Sequence, residues 1–215
     1  NYERLTDEDY RPYFEHFDPD LFDARALART AKGYVVLTTK HHDGFCLWDS
    51  QRTDFTSVAA TGRDLVREYV DALRAEGLKV GLYHSVIDWH HPHFTVDWNH
   101  PRRDDANAHE LNVGRDMSIY REYLHAQVRE LLTAYGEIDY LFFDFTYPGA
   151  KDGWSGKGPD DWDAAGLLAL CRELQPNMLV NDRLGIPADF VTPEQYQPTA
   201  PIVRDGVALT WEACQ

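Results

Sequence analysis

The sequence predicts an α/β fold in which parallel strands alternate with helices. Strand-like and helix-like segments alternate along the 215 residues, and the strand-like runs are short and apolar, as in strands buried on both faces. No Gly-x-Gly-x-x-Gly turn follows a strand, so dinucleotide binding is not supported. About five strands and four helices fit part of a (β/α)8-type barrel better than a doubly wound sheet.

The first half of the chain is expected to hold two strands and two helices. Residues 1–20 carry charges, aromatics and prolines, and predict a loop with at most a short helix. A helix of about three turns is predicted to begin behind Asp18-Pro19-Asp20 and to end at Gly33. Strands are predicted over 34–40 and 78–84, and a polar loop between them leads into a helix that Gly77 ends.

The second half repeats the alternation around one long loop, residues 85–114. A loop of that length in a compact domain is usually functional or disordered, and its aromatic and imidazole side chains argue against disorder. The other predicted elements are a helix over 116–135, a strand over 136–145, a Gly-rich loop over 148–158, a helix over 162–174, a strand over 177–182, a loop over 184–206 and a fifth strand over 207–212.

Composition limits the classes of function. The formal net charge of −15 disfavours nucleic acid and anionic membranes as partners and suits a neutral substrate. Aromatic residues reach 13%, which fits either an aromatic core or a sugar-binding cleft. Three widely spaced cysteines indicate neither a disulfide framework nor a zinc site. The chain opens on Asn1, so we expect a piece of a longer protein, whose oligomeric state and export, including a secreted or periplasmic location, stay open.

Several polar residues follow predicted strands. Asp144 lies where the strand over 136–145 opens into its loop, so we interpret it as a catalytic nucleophile, with a simple loop cap as the alternative. In a barrel the carboxyl ends of the strands converge on one mouth. One cleft is therefore predicted to receive His41, His42, His84, Asp144, Arg183 and Glu212.

Paired carboxylates in an aromatic cleft suit glycoside hydrolysis, in which one carboxylate attacks and the other protonates the leaving oxygen. Glu194 and Glu212 are the candidates for the second carboxylate. Arg183 either orients Asp144 and lowers its pKa or pairs with its neighbour Asp182. Three aromatic residues are candidates for stacking on sugar faces, although the third fits the core equally well: Trp48, Trp89 and Phe142.

Seven motifs together resemble the α-L-fucosidases of glycoside hydrolase family 29. They are LTTKHHDGFCLWDS at 37–50, GRDLV at 62–66, GLKVGLYHS at 77–85, DWH at 88–90, YGEIDYLFFD at 135–144, VNDR at 180–183 and TPEQ at 192–195. The resemblance implies a retaining exo-hydrolase that releases terminal α-L-fucose from fucosylated glycans. We expect no cofactor and no metal.

The resemblance also implies roles for single residues. It assigns the nucleophile to Asp144, sugar binding to His41 and His42, and an active-site arginine to Arg183. Tyr83 and Trp48 match pocket positions, and Phe142 replaces a Trp often found two residues before the nucleophile. The acid/base is assigned to Glu194, with Glu212 as second choice.

The sequence departs from the family pattern at both ends. Nothing matches the His-Trp-Gly strand that opens the family's catalytic domain, and the last barrel strands and the C-terminal β-sandwich domain are absent. Residues 1–215 are therefore expected to form a partial (β/α) barrel, either as a fragment or as a chain that completes itself by association.

Two other classes of function stay open from the sequence. The imidazoles of His41-His42 and of the stretch 89–93 suggest a metal-dependent hydrolase, although adjacent histidines rarely bind one ion. The missing strands suggest a non-catalytic sugar-binding protein. The sequence leaves the fucosyl linkage open, as well as the choice between hydrolysis and transglycosylation.

Overall fold

The computed structural model describes residues 8–9, 12–13 and 16–214. The loop expected over 1–20 therefore lies largely outside the described residues. Helix α1 spans Ala24–Thr30, and the Asp23 side chain caps it by accepting from the Ala26 N–H. It is shorter than the sequence predicts because Asp18 caps a separate 3-10 turn, Pro19–Leu21, ahead of it.

The centre of the fold is a parallel sheet, as the sequence predicts, but in the described residues it has four strands rather than five. Its strands are β1 (Tyr34–Lys40), β2 (Lys79–Ser85), β3 (Tyr140–Asp144) and β4 (Leu179–Val180), in the spatial order β1-β2-β3-β4. Ser85 and Asp144 are register partners, so the carboxyl ends of β2 and β3 lie side by side. The order of neighbours follows the chain, as in a (β/α) barrel, but barrel closure stays a prediction.

Between the strands, the described residues form five α-helices: α2 (Ser57–Thr61), α3 (Leu65–Ala75), α4 (Met117–Ala134), α5 (Pro159–Trp162) and α6 (Ala164–Leu174). The sequence placed α2 in a loop, yet the Thr56 hydroxyl caps this single turn through the Ala59 N–H. The sequence analysis also predicted one helix over 162–174, whereas the structure has two. Asp163, whose φ of 49° is left-handed, interrupts the helical backbone between α5 and α6, and its side chain caps α6 by accepting from the Gly166 N–H.

The predicted fifth strand over 207–212 is wrong. Val207–Ala208 forms β6, which pairs antiparallel with β5 (Val203–Arg204) across a turn in which Asp205 and Gly206 both have positive φ. Asp-Gly favours this two-residue hairpin turn. Beyond β4, single parallel bridges continue the pairing through 190–194 and 211–214: Asn181 with Phe190, Val191 with Trp211, and Glu194 with Cys214.

The two faces of the sheet are packed differently. Leu82, Leu141 and Phe143 point toward the helices and belong to the large apolar core. Tyr140, Phe142 and Phe190 form a smaller aromatic cluster on the opposite face. Because side chains alternate along a strand, Asp144 shares the face of Tyr140 and Phe142 and stands at its carboxyl end. Within the described range, no helix is long and apolar enough to cross a bilayer.

Candidate active site

Asp144 is the centre of the candidate site. It is the last residue of β3, and about one fifth of its side chain is exposed. The Tyr83 hydroxyl, from the neighbouring strand β2, donates to Asp144 Oδ2 at 2.9 Å. Arg183 Nη1 lies 3.5 Å from Asp144 Oδ1, on the 3-10 turn Asp182–Leu184 that follows β4. Three consecutive strands thus bring these side chains to one place.

Burial is the main influence on the Asp144 carboxyl and raises its pKa above the ordinary value. The hydrogen bond from Tyr83 and the charge of Arg183 act in the opposite direction, and the nearby Glu194 carboxylate adds to the rise. The ionised form of Asp144 therefore depends on Tyr83 and Arg183. Loss of either Tyr83 or Arg183 is therefore expected to raise the pKa of Asp144 further.

Glu194 is the second carboxylate at this point. Arg183 Nη1 donates to Glu194 Oε2 at 2.7 Å, and Arg183 Nη2 donates to the Thr192 carbonyl at 3.2 Å. Half of the Glu194 side chain is exposed. One guanidinium nitrogen thus contacts both carboxylates. The two contacted oxygens are separated by no more than the sum of those two distances.

His41 and His42 follow β1 directly and differ in burial. His42 is buried, its Nδ1 lies 2.7 Å from Ser85 Oγ, and its carbonyl accepts from the Trp89 N–H. Burial lowers the pKa of His42 to about 2, so its imidazole is neutral at ordinary pH. His41 is exposed and stacks on the Tyr83 ring at 5.7 Å. The two imidazoles lie 3.9 Å apart, beside the partners of Asp144.

Phe142 lies beneath Asp144 in the aromatic cluster. Its ring is 8% exposed and stacks on Tyr83 at 5.6 Å. It forms the floor of the site rather than an open stacking surface.

Trp48 and His84 lie outside the cleft, contrary to prediction. Trp48 is 1% exposed, and its indole donates to Glu130 Oε2 at 3.0 Å, so it belongs to the core. His84 is fully buried, with Nδ1 3.1 Å from Thr39 Oγ1. It precedes Ser85 on β2 and therefore points to the opposite face from Tyr83 and Ser85.

Glu212 lies at the other end of the sheet, so its predicted place beside Asp144 is wrong. It accepts a hydrogen bond from Tyr34, at 2.6 Å, and another from Tyr140. Tyr34 and Tyr140 are the first residues of β1 and β3, and Asp144 is four residues further along β3, about 13 Å away. The sequence analysis placed Glu212 at the carboxyl end of a strand. In the structure, Glu212 instead lies at the start of a paired segment, because the parallel bridge of Val191 with Trp211 directly precedes it.

The histidine-rich stretch does not support a metal site. His90 stacks on Phe55 at 4.2 Å, and His91 packs on Tyr123 at 4.3 Å. Among residues 8–9, 12–13 and 16–214, no three His, Cys, Asp or Glu side chains are grouped so as to hold a metal ion. The geometry therefore gives no support to the metal-dependent alternative.

Two residues of the site escaped the sequence reasoning. Ser85 contacts His42, and the Phe145 ring packs against His42 at 4.5 Å. Phe145 has φ 83°, which is rare for a residue with a side chain. The position of Ser85 at a strand end was a usable signal, whereas the backbone turn at Phe145 left none.

Paired carboxylates at the carboxyl end of a parallel sheet are typical of glycoside hydrolases. The family model for alpha-L-fucosidase matches residues 1–215. The chain belongs to the alpha-L-fucosidase family, which confirms the prediction from the motif series.

Named relatives agree with the family model. A putative alpha-L-fucosidase 1 of Oryza sativa subsp. japonica is 36% identical over 173 residues, which cover 76% of this chain and 28% of the relative. The tissue alpha-L-fucosidase of Mus musculus is 39% identical over 104 residues, which cover 42% of this chain and 23% of the relative. This chain thus spans about a quarter of these relatives.

Solved structures are similar over nearly the whole chain. The alpha-L-fucosidase isoenzyme 1 from Paenibacillus thiaminolyticus has a TM-score of 0.89 and 47% identity, and the match covers 99% of this chain and 53% of that protein. The alpha-L-fucosidase AlfC from Lactobacillus casei, in complex with its alpha-L-fucose product, has a TM-score of 0.71 and 29% identity over 88% of this chain and 61% of that protein.

Proposed function

We propose that the chain carries the central catalytic residues of a retaining α-L-fucosidase that releases terminal α-L-fucose from fucosylated oligosaccharides or glycoconjugates. Asp144 is the nucleophile and Glu194 the acid/base. One observation carries the proposal: a single Arg183 nitrogen contacts both carboxylates. Family membership supports the substrate class. Because this chain spans only part of its relatives' length, we propose the activity for the whole protein.

The reaction takes two displacements. An Asp144 oxygen attacks the anomeric carbon of fucose, and Glu194 gives its proton to the departing glycosidic oxygen. Glu194 then removes a proton from water, the water oxygen attacks the anomeric carbon, and Asp144 leaves as a carboxylate. Retention needs carboxyl groups about 5–5.5 Å apart and inversion about 6.5–9.5 Å. The shared contact with Arg183 keeps the two facing oxygens close to each other, which supports the retaining assignment.

The neighbouring side chains support these steps. Tyr83 and Arg183 stabilise the ionised form of Asp144, which is needed both for attack and for departure. His41 and the neutral His42 bind fucose hydroxyls, with Ser85 fixing the orientation of the His42 ring. Phe142 supports Tyr83 from below.

We also infer that residues 1–215 form part of a (β/α)8 barrel. The spatial order of β1 to β4 follows the chain, and single parallel bridges continue beyond β4 toward 211–214. The carboxyl ends of such strands carry the catalytic residues.

Hydrolysis of 4-nitrophenyl α-L-fucoside tests the function. We expect Asp144→Gly to lower kcat by at least about 10³-fold, and added azide to restore turnover by giving β-L-fucosyl azide. Proton NMR of the first product from the unchanged protein should show α-L-fucose. Asp71→Asn, on the exposed surface of α3, is the control.

Undiminished turnover in Asp144→Gly would end the nucleophile assignment, and β-L-fucose as first product would exclude retention. Calorimetry with L-fucose addresses the non-catalytic alternative. Binding of L-fucose without any turnover of the aryl fucoside would support a sugar-binding protein instead.

A further inference from the structure

Two loops at the carboxyl end of the sheet meet beside the candidate site. One follows β2 and carries Trp98, and the other follows β3 and carries Phe145 and Tyr147. The Trp98 indole donates to the Gly149 carbonyl at 2.7 Å, and its ring meets Tyr147 edge-on at 5.1 Å. The fucose-binding roles proposed above do not use this contact.

Aromatic rings form a continuous row away from His42. Phe145 lies 4.5 Å from His42, Tyr147 lies 5.2 Å from Phe145, and Trp98 follows at 5.1 Å. Tyr147 is 9% exposed, whereas Phe145 and Trp98 are only half-buried. The row therefore begins at a side chain assigned to fucose and continues beyond it as a partly exposed aromatic surface.

The backbone at Phe145 directs its ring into this row. Phe145 follows Asp144 directly and has φ 83°, a left-handed conformation that side chains disfavour. Strained residues of this kind cluster at active sites and at ligand contacts.

Buried polar contacts hold the two loops together. Lys157 pairs with Asp97, both almost fully buried, and Lys157 Nζ also donates to the Thr95 carbonyl at 2.9 Å. The Tyr147 hydroxyl donates to Asp97 Oδ2 at 2.7 Å. Gly156 is packed so closely that an added Cβ would lie 1.9 Å from the Tyr147 carbonyl. The aromatic surface is thus fixed before a ligand arrives, which favours affinity.

We propose that Phe145 and Trp98 form a subsite for the sugar to which fucose is linked. This inference rests on the proposed function and adds the contact that selects the leaving group. Aromatic rings of this type stack on the apolar C–H face of a pyranose, and the exposed Lys151, whose Nζ lies 5.7 Å from the Trp98 ring centre, supplies a hydrogen-bond donor for its hydroxyls.

Calorimetry on protein carrying Asp144→Asn, in which we expect turnover to stop, tests the subsite. The probes are methyl α-L-fucoside and three disaccharides in which fucose is α1,2-linked to galactose, or α1,3- or α1,6-linked to N-acetylglucosamine. We expect at least one disaccharide to bind about 10-fold more tightly than the methyl fucoside. Adding Trp98→Ala should remove most of this preference, and Trp98→Phe should retain a large part of it.

Trp211→Ala is the matched control, because Trp211 is a half-buried tryptophan beside Glu212 at the other end of the sheet. It should leave the preference intact. The subsite would be overturned if Trp98→Ala left the preference for the disaccharide over methyl α-L-fucoside unchanged. It would also be overturned if no disaccharide bound more tightly than methyl α-L-fucoside. The proposed function is judged separately, by hydrolysis of the aryl fucoside, so the two failures are distinguishable.

Discussion

Asp144 and Glu212 are carboxylates at opposite ends of the same aromatic face. Both accept hydrogen bonds from tyrosine hydroxyls: Asp144 from Tyr83, and Glu212 from Tyr34 and Tyr140. Only Asp144 also has an arginine and a second carboxylate beside it. In the part of the chain that the structure describes, no ion pair with Lys or Arg is found at Glu212. Asp144 therefore has the neighbours that paired-carboxylate chemistry needs, whereas Glu212 does not.

The difference follows from the direction of the strands. At the carboxyl end, each parallel strand opens into a loop or turn, and these segments carry Arg183 and Glu194 toward Asp144. At the amino end, Glu212 mainly binds phenols, and its hydrogen bond raises the pKa of Tyr34 to about 12. A carboxylate with two phenol donors is well suited to fixing strands, whereas two carboxylates that share one arginine can divide the roles of nucleophile and acid/base.

The largest expected contrast is between the two glutamates. Glu194→Gln should lower kcat/KM for a fucosylated disaccharide by about 10²–10⁴-fold, because the leaving oxygen loses its proton donor. Glu212→Gln should change the same value less than about 3-fold, since Glu212 lies at the other end of the sheet. Steady-state kinetics of both variants check this. A larger loss in Glu212→Gln would reverse the assignment.

The next contrast compares two cations. Arg183→Met should lower kcat for the aryl fucoside by about 10²-fold, because Asp144 and Glu194 lose their shared donor. Lys79→Met is the control, since Lys79 pairs with Asp139 near the amino end of the strands. Equal losses in the two variants would show that Arg183 has no special part in catalysis.

The pH dependence should separate two tyrosines. Burial raises the pKa of Asp144, and the Tyr83 hydrogen bond opposes that rise by stabilising the ionised form. Tyr83→Phe should therefore raise this pKa further and move the acid limb of the kcat/KM profile to higher pH, because attack needs the carboxylate. Tyr140→Phe, which keeps the ring and removes only the hydroxyl that donates to Glu212, should leave the acid limb in place.

The smallest expected effect is on stability. Glu212→Gln weakens charge-assisted hydrogen bonds from Tyr34 and Tyr140 and should lower the free energy of unfolding by about 1 kcal/mol. Urea unfolding followed by circular dichroism measures it. An unchanged midpoint would contradict a structural role for Glu212 and weaken the contrast with Asp144.

Local patterns were sufficient for the sheet and for part of the site. The strand ending at Asp144, the strand preceding His41 and the parallel α/β class all follow from short apolar runs and their end signals. The sequence also contains the turn signal of the hairpin at Asp205-Gly206, but the sequence analysis predicted a loop up to residue 206 and a single strand over 207–212. The error at Glu212 came from that choice.

The sequence by itself determined the family and the α/β class with parallel strands, because motif identity and strand periodicity are local properties. Only the tertiary structure decided that Glu194 shares Arg183 with Asp144, that Trp48 is core and that Glu212 belongs to the opposite end. These facts depend on pairing between segments far apart in the chain. The free energy of such pairing is set by packing and hydrogen bonding across the sheet, which no single stretch of sequence encodes.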